Sequence, residues 1–174
     1  ATGGFSTYNK SLGHFQHVEG VNSGLIEYTV IVFMILAGTN FTLLYLLTLR
    51  RVSALLADLE FRTYILIIVG VTTAVIGFGM WHADPGFNNV SDSLRFGLFQ
   101  VVSILTTTGY GTEDFDRWNS FSRGILFLLM FVGGCAGSTG GGLKVIRHVL
   151  FHKILWLEVE TAFRPNVVRP LRLG

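Results

Sequence analysis

Leu25 to Leu49 is apolar apart from small polar residues, and Glu27 is its only charge. At 1.5 Å of rise per residue its 25 positions cover about 37 Å, enough to cross a hydrocarbon core of about 30 Å with tilt. Thr63 to Trp81 holds 19 uncharged residues, about 28 Å of helix, and predicts a second span. Arg50, Arg51 and Arg62 lie between the two, with Asp58 and Glu60. Basic residues beside membrane helices favour the cytoplasm, so this connection is expected inside. The stretch from His82 to Val90, with Asp84, Pro85, Gly86, Asn88 and Asn89, is then an outside turn. Ser91 and Asp92 open a helix that the pattern carries from Asp92 to Leu105, 14 residues and about 21 Å, too short to span. A Gly/Thr run, Thr106 to Thr112, and then Glu113, Asp114 and Asp116 follow. Acid at this point returns the chain to the outside, so the segment predicts a re-entrant helix and loop.

Gly124 to Leu143 is another 20 residues without a charge. Its second half is not helix-like: Gly133-Gly134-Cys135-Ala136-Gly137-Ser138-Thr139-Gly140-Gly141-Gly142 has six glycines in ten positions. Each interior glycine costs about 1 kcal/mol of helix relative to Ala. The helix is therefore expected to run about ten residues past Arg123, about 15 Å, and to break at half depth. Non-helical backbone at that depth survives only against protein or a water-filled cavity. After Leu143 come Lys144, Arg147, His148, His152 and Lys153, which put this exit inside. Lys144 sits where helix resumes, either repelling cations from a closed path or snorkelling to the interface.

Composition strengthens the membrane reading. Half of the 174 residues are hydrophobic and 14% are charged, against roughly 25% in soluble domains. The mean hydropathy is +0.54. One cysteine excludes a disulfide framework, and a formal net charge of +2 without a basic tract gives no footprint for nucleic acid. The chain opens on Ala1-Thr2-Gly3-Gly4-Phe5-Ser6-Thr7, which reads as the middle of a longer protein.

Two stretches share one plan. Thr2 to Thr7 leads through a polar stretch to Met34-Ile35-Leu36-Ala37-Gly38, and Thr107 to Thr112 leads to Met130-Phe131-Val132-Gly133-Gly134. Residues 1–62 are then the end of one unit, and 63–174 a complete one: helix, re-entrant helix, loop, broken helix. Thr107-Thr108-Gly109-Tyr110-Gly111 differs at one position from the TVGYG loop whose backbone carbonyls replace potassium's hydration shell in channels. Glycine tolerates the positive φ that turns successive carbonyls inward. A threonine hydroxyl adds an oxygen, and the C-terminal end of the preceding helix favours a cation. Tyr110 is placed to brace the loop from behind. Thr2-Gly3-Gly4-Phe5 is a degenerate copy, so the pore is expected to be built from non-identical repeats.

These residues resemble the Trk/Ktr/HKT superfamily of potassium transporters, TrkH-type subunits most closely. The matching pieces are TGGFST at Thr2 to Thr7, TTTGYGT at Thr106 to Thr112, and GGCAGSTGGGLKVIR at Gly133 to Arg147. The resemblance implies an all-α membrane protein of four pore repeats around one axis, with the end of the second and all of the third present here. It implies K⁺ as the transported ion, Gly4 and Gly109 as filter glycines, and Gly133 to Gly142 as a gating loop below the filter. It also implies the inner (plasma) membrane of a bacterium or archaeon, a homodimer, and a cytoplasmic nucleotide-binding TrkA-type subunit. Membrane lipid and the other repeats of the same protein are further expected neighbours. Tyr110-Gly111 departs from the Phe-Thr filter of some members.

Other chemistries fit the sequence less well. Gly137 to Lys144 lacks the spacing of a phosphate loop, since Leu143 separates the last glycine from the lysine. A serine hydrolase using Ser138 needs His148 or His152 within hydrogen-bond reach. An alternating-access carrier explains the broken helix but not the short helix before TTTGYGT. His14 and His17 have metal-ligand spacing without a third ligand and read as solvated loop residues, His148 and His152 share a helix face with metal-ligand spacing but read as a basic juxtamembrane face, and Cys135 reads as a small packing residue. Glu158, Glu160 and Arg164 to Arg172 read as a solvated cytoplasmic end.

Overall fold

The computed structural model describes residues 3–163. Thr2 and the Arg164 to Arg172 stretch lie outside the described residues. Within them the protein is helical, and the one bridge, Val132 with Leu143, is isolated. Helix α1 is Ser23–Gly38, α2 Phe41–Thr48, α3 Val52–Ala57, α4 Leu59–Trp81, α5 Val90–Leu105, α6 Ser120–Leu129 and α7 Val145–Phe163. Two short 3₁₀ turns, Ser11–His17 and Phe115–Arg117, sit in the connections.

Side-chain caps set several of these starts. Asn22 Oδ1 accepts from the Leu25 N–H at 3.1 Å, Asp58 Oδ1 from Phe61 at 2.7 Å, and Asn119 Oδ1 from Ser122 at 2.8 Å. Each satisfies a donor that the first helical turn leaves without a partner. The Asp58 cap starts α4 at Leu59, four residues ahead of the apolar pattern. At 23 residues α4 is long and apolar enough to cross a membrane. Helix α5, at 16 residues and about 24 Å, is not.

The expected continuous span from Leu25 to Leu49 is not formed. Helices α1 and α2 meet at 107° across Thr39 and Asn40. Thr39 is extended, and Asn40 Oδ1 accepts from the Thr42 N–H at 2.8 Å, starting a new helix. Hydropathy does not see this corner because both arms are apolar. The second break falls where glycines predict one, between α6 and α7, but earlier. Helix α6 begins at Ser120, under the Asn119 cap, and ends at Leu129, four residues ahead of the first glycine of the run.

Helix α5 lies at the centre. Its Phe99, Val101, Val102 and Leu105 are fully buried among Ile31 and Met34 of α1, Tyr64, Ile68 and Val75 of α4, and Leu126 and Leu129 of α6. Leu66 and Val69, on the far side of α4, are exposed. In lipid this inner contact is held by close packing rather than by escape from water. The core therefore serves to hold one short helix, and α5 ends where the Gly/Thr loop begins.

Candidate functional site

Helix α5 ends at Leu105 and the chain reverses at once. Thr107 takes φ 54°, rare for a β-branched residue, and Gly109 takes φ 80°. Ser103 fixes the reversal. Its carbonyl accepts from Thr108 N–H at 2.9 Å, and its hydroxyl donates to the Tyr110 carbonyl at 2.6 Å. Thr106 and Thr108 share a hydroxyl–hydroxyl bond of 2.8 Å, and Thr106 donates to the Val102 carbonyl. Tyr110 packs its ring against the core.

The loop from the other repeat meets this one. Gly3 N–H donates to the Thr108 carbonyl at 3.2 Å. Gly4, at φ 66°, lies so near Gly109 that a Cβ on it would stand 2.5 Å from the Gly109 oxygen. A side chain at either glycine meets both an unfavourable φ and the opposite backbone. Phe5 is largely exposed. The far end of the complete loop is tied outward. The Gly111 carbonyl accepts from Leu12 and Gly13 N–H at 3.1 and 3.3 Å, and the Thr112 carbonyl accepts from Gln16 Nε2 at 3.1 Å. The Tyr110 and Gly111 carbonyls are thus engaged by the scaffold.

Gln16 also donates to Glu27 Oε1 at 3.1 Å. Glu27, in α1, is buried and holds the Arg95 guanidinium through both Nε and Nη2, and Arg95 also donates to Ser23. An ion pair at this burial is stable only with its remaining bonds filled, and here Ser23 and Gln16 fill them. The chain of bonds runs from α5 through α1 to the residue just after Gly111. The charge pattern carries a signal for it: a lone carboxylate in an apolar span requires a buried partner, and Arg95 is the one basic residue of α5.

The segment from Gly133 to Lys144 is non-helical and folds back on itself. Gly133 N–H donates to the Leu143 carbonyl at 2.8 Å and Val145 N–H to the Gly134 carbonyl at 3.2 Å, closing a neck. Cys135 N–H reaches the Gly38 carbonyl at 2.9 Å, Thr139 N–H the Ala37 carbonyl at 3.1 Å, and Phe41 N–H the Gly137 carbonyl at 3.2 Å. The loop thereby satisfies groups that the α1–α2 corner leaves open. Glu60 Oε1 accepts from Ala136 N–H at 2.7 Å and Ile146 N–H at 3.1 Å. Thr107 Oγ1 accepts from Gly141 N–H at 2.7 Å, so the loop touches the Gly/Thr turn directly. Lys144 Nζ turns back to the Gly140 carbonyl instead of reaching outward.

Ser138 donates to the Cys135 carbonyl at 2.6 Å, which leaves no hydroxyl proton directed to a histidine base. Among the described residues no group of three His, Cys, Asp or Glu side chains gathers to hold a metal ion. Asp84, after α4, accepts from the Asn119 backbone and side-chain N–H groups at 2.9 and 2.6 Å. It joins the two connections that the charge pattern assigns to the outside.

The sequence matches the family described as TrkH, cation transport protein, over residues 1–174. A Trk system potassium uptake protein TrkH from Salmonella typhimurium is 38% identical across the whole chain, and one from Escherichia coli K12 is 37% identical. The chain spans 35% of the length of each. The crystal structure of the potassium transporter TrkH from Vibrio parahaemolyticus superposes with a TM-score of 0.86 at 33% identity, covering 99% of this chain and 36% of that one. With the family match extending over every residue, this helical membrane protein chain belongs to the TrkH cation transport family.

Proposed function

We propose that this chain forms two neighbouring quarters of a potassium-uptake pore, residues 1–62 from one repeat and 63–174 from the next. The observation that carries this reading is the face-to-face approach of Gly4 and Gly109, both at positive φ, at the end of a short buried helix. Two glycine backbones in contact let both loops run side by side and offer carbonyl oxygens to an ion beside that contact. The ring draws on Thr107, Thr108 and Gly109 from one repeat and on Thr2, Gly3, Gly4 and Phe5 from the other. Tyr110 and Gly111 continue the same loop outward, their carbonyls tied to Ser103, Leu12 and Gly13 as the Thr108 carbonyl is tied to Gly3.

Gly133 to Gly142 with Lys144 is the gate of this reading. It lies next to Thr107 at the inner end of the loop, and its small residues let it shift without large clashes. The setting is a bacterial inner membrane. The partners that the family resemblance implies are a second copy of the protein and a cytoplasmic nucleotide-binding subunit; the relatives' name, Trk system, fits partnership with other Trk components.

The test is Gly109→Ser in the full-length protein, measured as Rb⁺ and Na⁺ uptake by cells lacking their own potassium uptake. Loss of Rb⁺ preference by about tenfold or more supports the filter, a change worth about 1.4 kcal/mol. Unchanged preference at normal expression removes it.

A further inference from the structure

Glu60 is a buried carboxylate that neither loop explains. It stands in the first turn of α4 and is 7% exposed. One of its oxygens accepts two backbone N–H groups, from Ala136 near the start of the glycine-rich loop and from Ile146 just beyond its end. These two donors flank the neck made by the Gly133–Leu143 and Gly134–Val145 bonds. Ile146 belongs to the first turn of α7, where N–H groups have no helical partner and the helix dipole favours negative charge. A single oxygen thus grips both legs of the loop and closes the end of a helix.

We propose that Glu60 is the positioning residue of the glycine-rich loop, the fixed point that holds both its legs and keeps it across the path under the filter. This rests on the gate reading given above. Without the carboxylate, two buried N–H groups lose their acceptor at once, a costly arrangement inside a membrane protein. The loop then trades its closed posture for others in which water or lipid headgroups reach those donors.

Cys135 supplies a readout independent of transport. It adjoins Ala136, is 0% exposed, and its N–H is bound to Gly38. In the full-length protein, with cysteines outside this segment changed to serine, a small charged thiol reagent applied from the cytoplasmic side reports the posture of the loop. Glu60→Ala is expected to speed Cys135 labelling about tenfold or more and to raise Rb⁺ flux. Glu60→Gln keeps an oxygen acceptor at the same reach and is expected to label near the parental rate. Glu60→Asp, one methylene shorter, should fall between them. Parental labelling in a folded Glu60→Ala protein overturns the proposal. If Glu60→Ala does not fold, Glu60→Gln labelling faster than Glu60→Asp overturns it. Faster labelling with unchanged flux supports the anchor and removes the gate reading instead.

Discussion

The protein breaks a membrane helix twice, and the two breaks are built differently. Between α1 and α2 the interruption is two residues, Thr39 and Asn40, and the chain turns through 107°. Between α6 and α7 it runs from Met130 to Lys144. The short break leaves carbonyls at the end of α1 without helical partners, and the long break brings N–H groups to them. Cys135 and Thr139 donate to Gly38 and Ala37, and Gly137 accepts from Phe41. Neither interruption is self-sufficient at membrane depth. Each is tolerable because it lies against the other, which explains why a corner with ordinary composition sits beside a loop with extreme composition.

Changes to the long break should have the greatest effect. Deleting Gly140 to Gly142 removes the Gly141 donor to Thr107 and the Gly140 acceptor of Lys144. It should raise K⁺ flux several-fold with ion preference unchanged, read as Rb⁺ and Na⁺ uptake. A folded deletion protein that conducts no faster than its parent sinks the gate. Gly133→Ala comes next. A Cβ there runs into the Gly141 carbonyl across the neck, and forced overpacking costs about 1–3 kcal/mol. Its thermal midpoint in detergent should fall clearly below the parent's, and an unchanged midpoint would show that the neck opens freely. Asn40→Ala tests the short break and should matter least. It deletes one cap bond, to Thr42, worth about 1 kcal/mol. A larger loss there than at Gly133 would reverse the order and make the corner the stiffer of the two breaks.

Periodicity and hydropathy reached the elements that have a one-dimensional signature. The long apolar run marked α4, the missing length marked the short α5, and six glycines in ten positions marked the second break. The corner at Thr39 had no such signature. Its cause is an asparagine cap and donors arriving from about a hundred residues away, as in the Thr139 hydroxyl bond to Ala37. Glu60 was legible as a charge and not as an acceptor, because an acid in the first turn of a helix is ordinary there. Its partners belong to a loop more than seventy residues on. The Gly/Thr motif marked the turn after α5, yet it did not show which of its carbonyls are held by Ser103, Gly3, Leu12 and Gly13. The Gly3, Leu12 and Gly13 bonds come from the other end of the chain, which a five-residue pattern does not encode.

The bond between Gly141 N–H and Thr107 Oγ1 has a thermodynamic consequence. On the proposed reading, one hydroxyl belongs to both the ion's cage and the barrier beneath it. Whatever a bound cation does to the orientation of Thr107 is felt by the loop, and whatever the loop does to Thr107 is felt by the ion. Reciprocity then requires that loop withdrawal change cation affinity by the same factor by which the cation changes the loop's equilibrium. If the Gly/Thr turn is the filter and the glycine-rich loop the gate, occupancy and opening are two readings of one free energy, joined through a single side chain held at φ 54°.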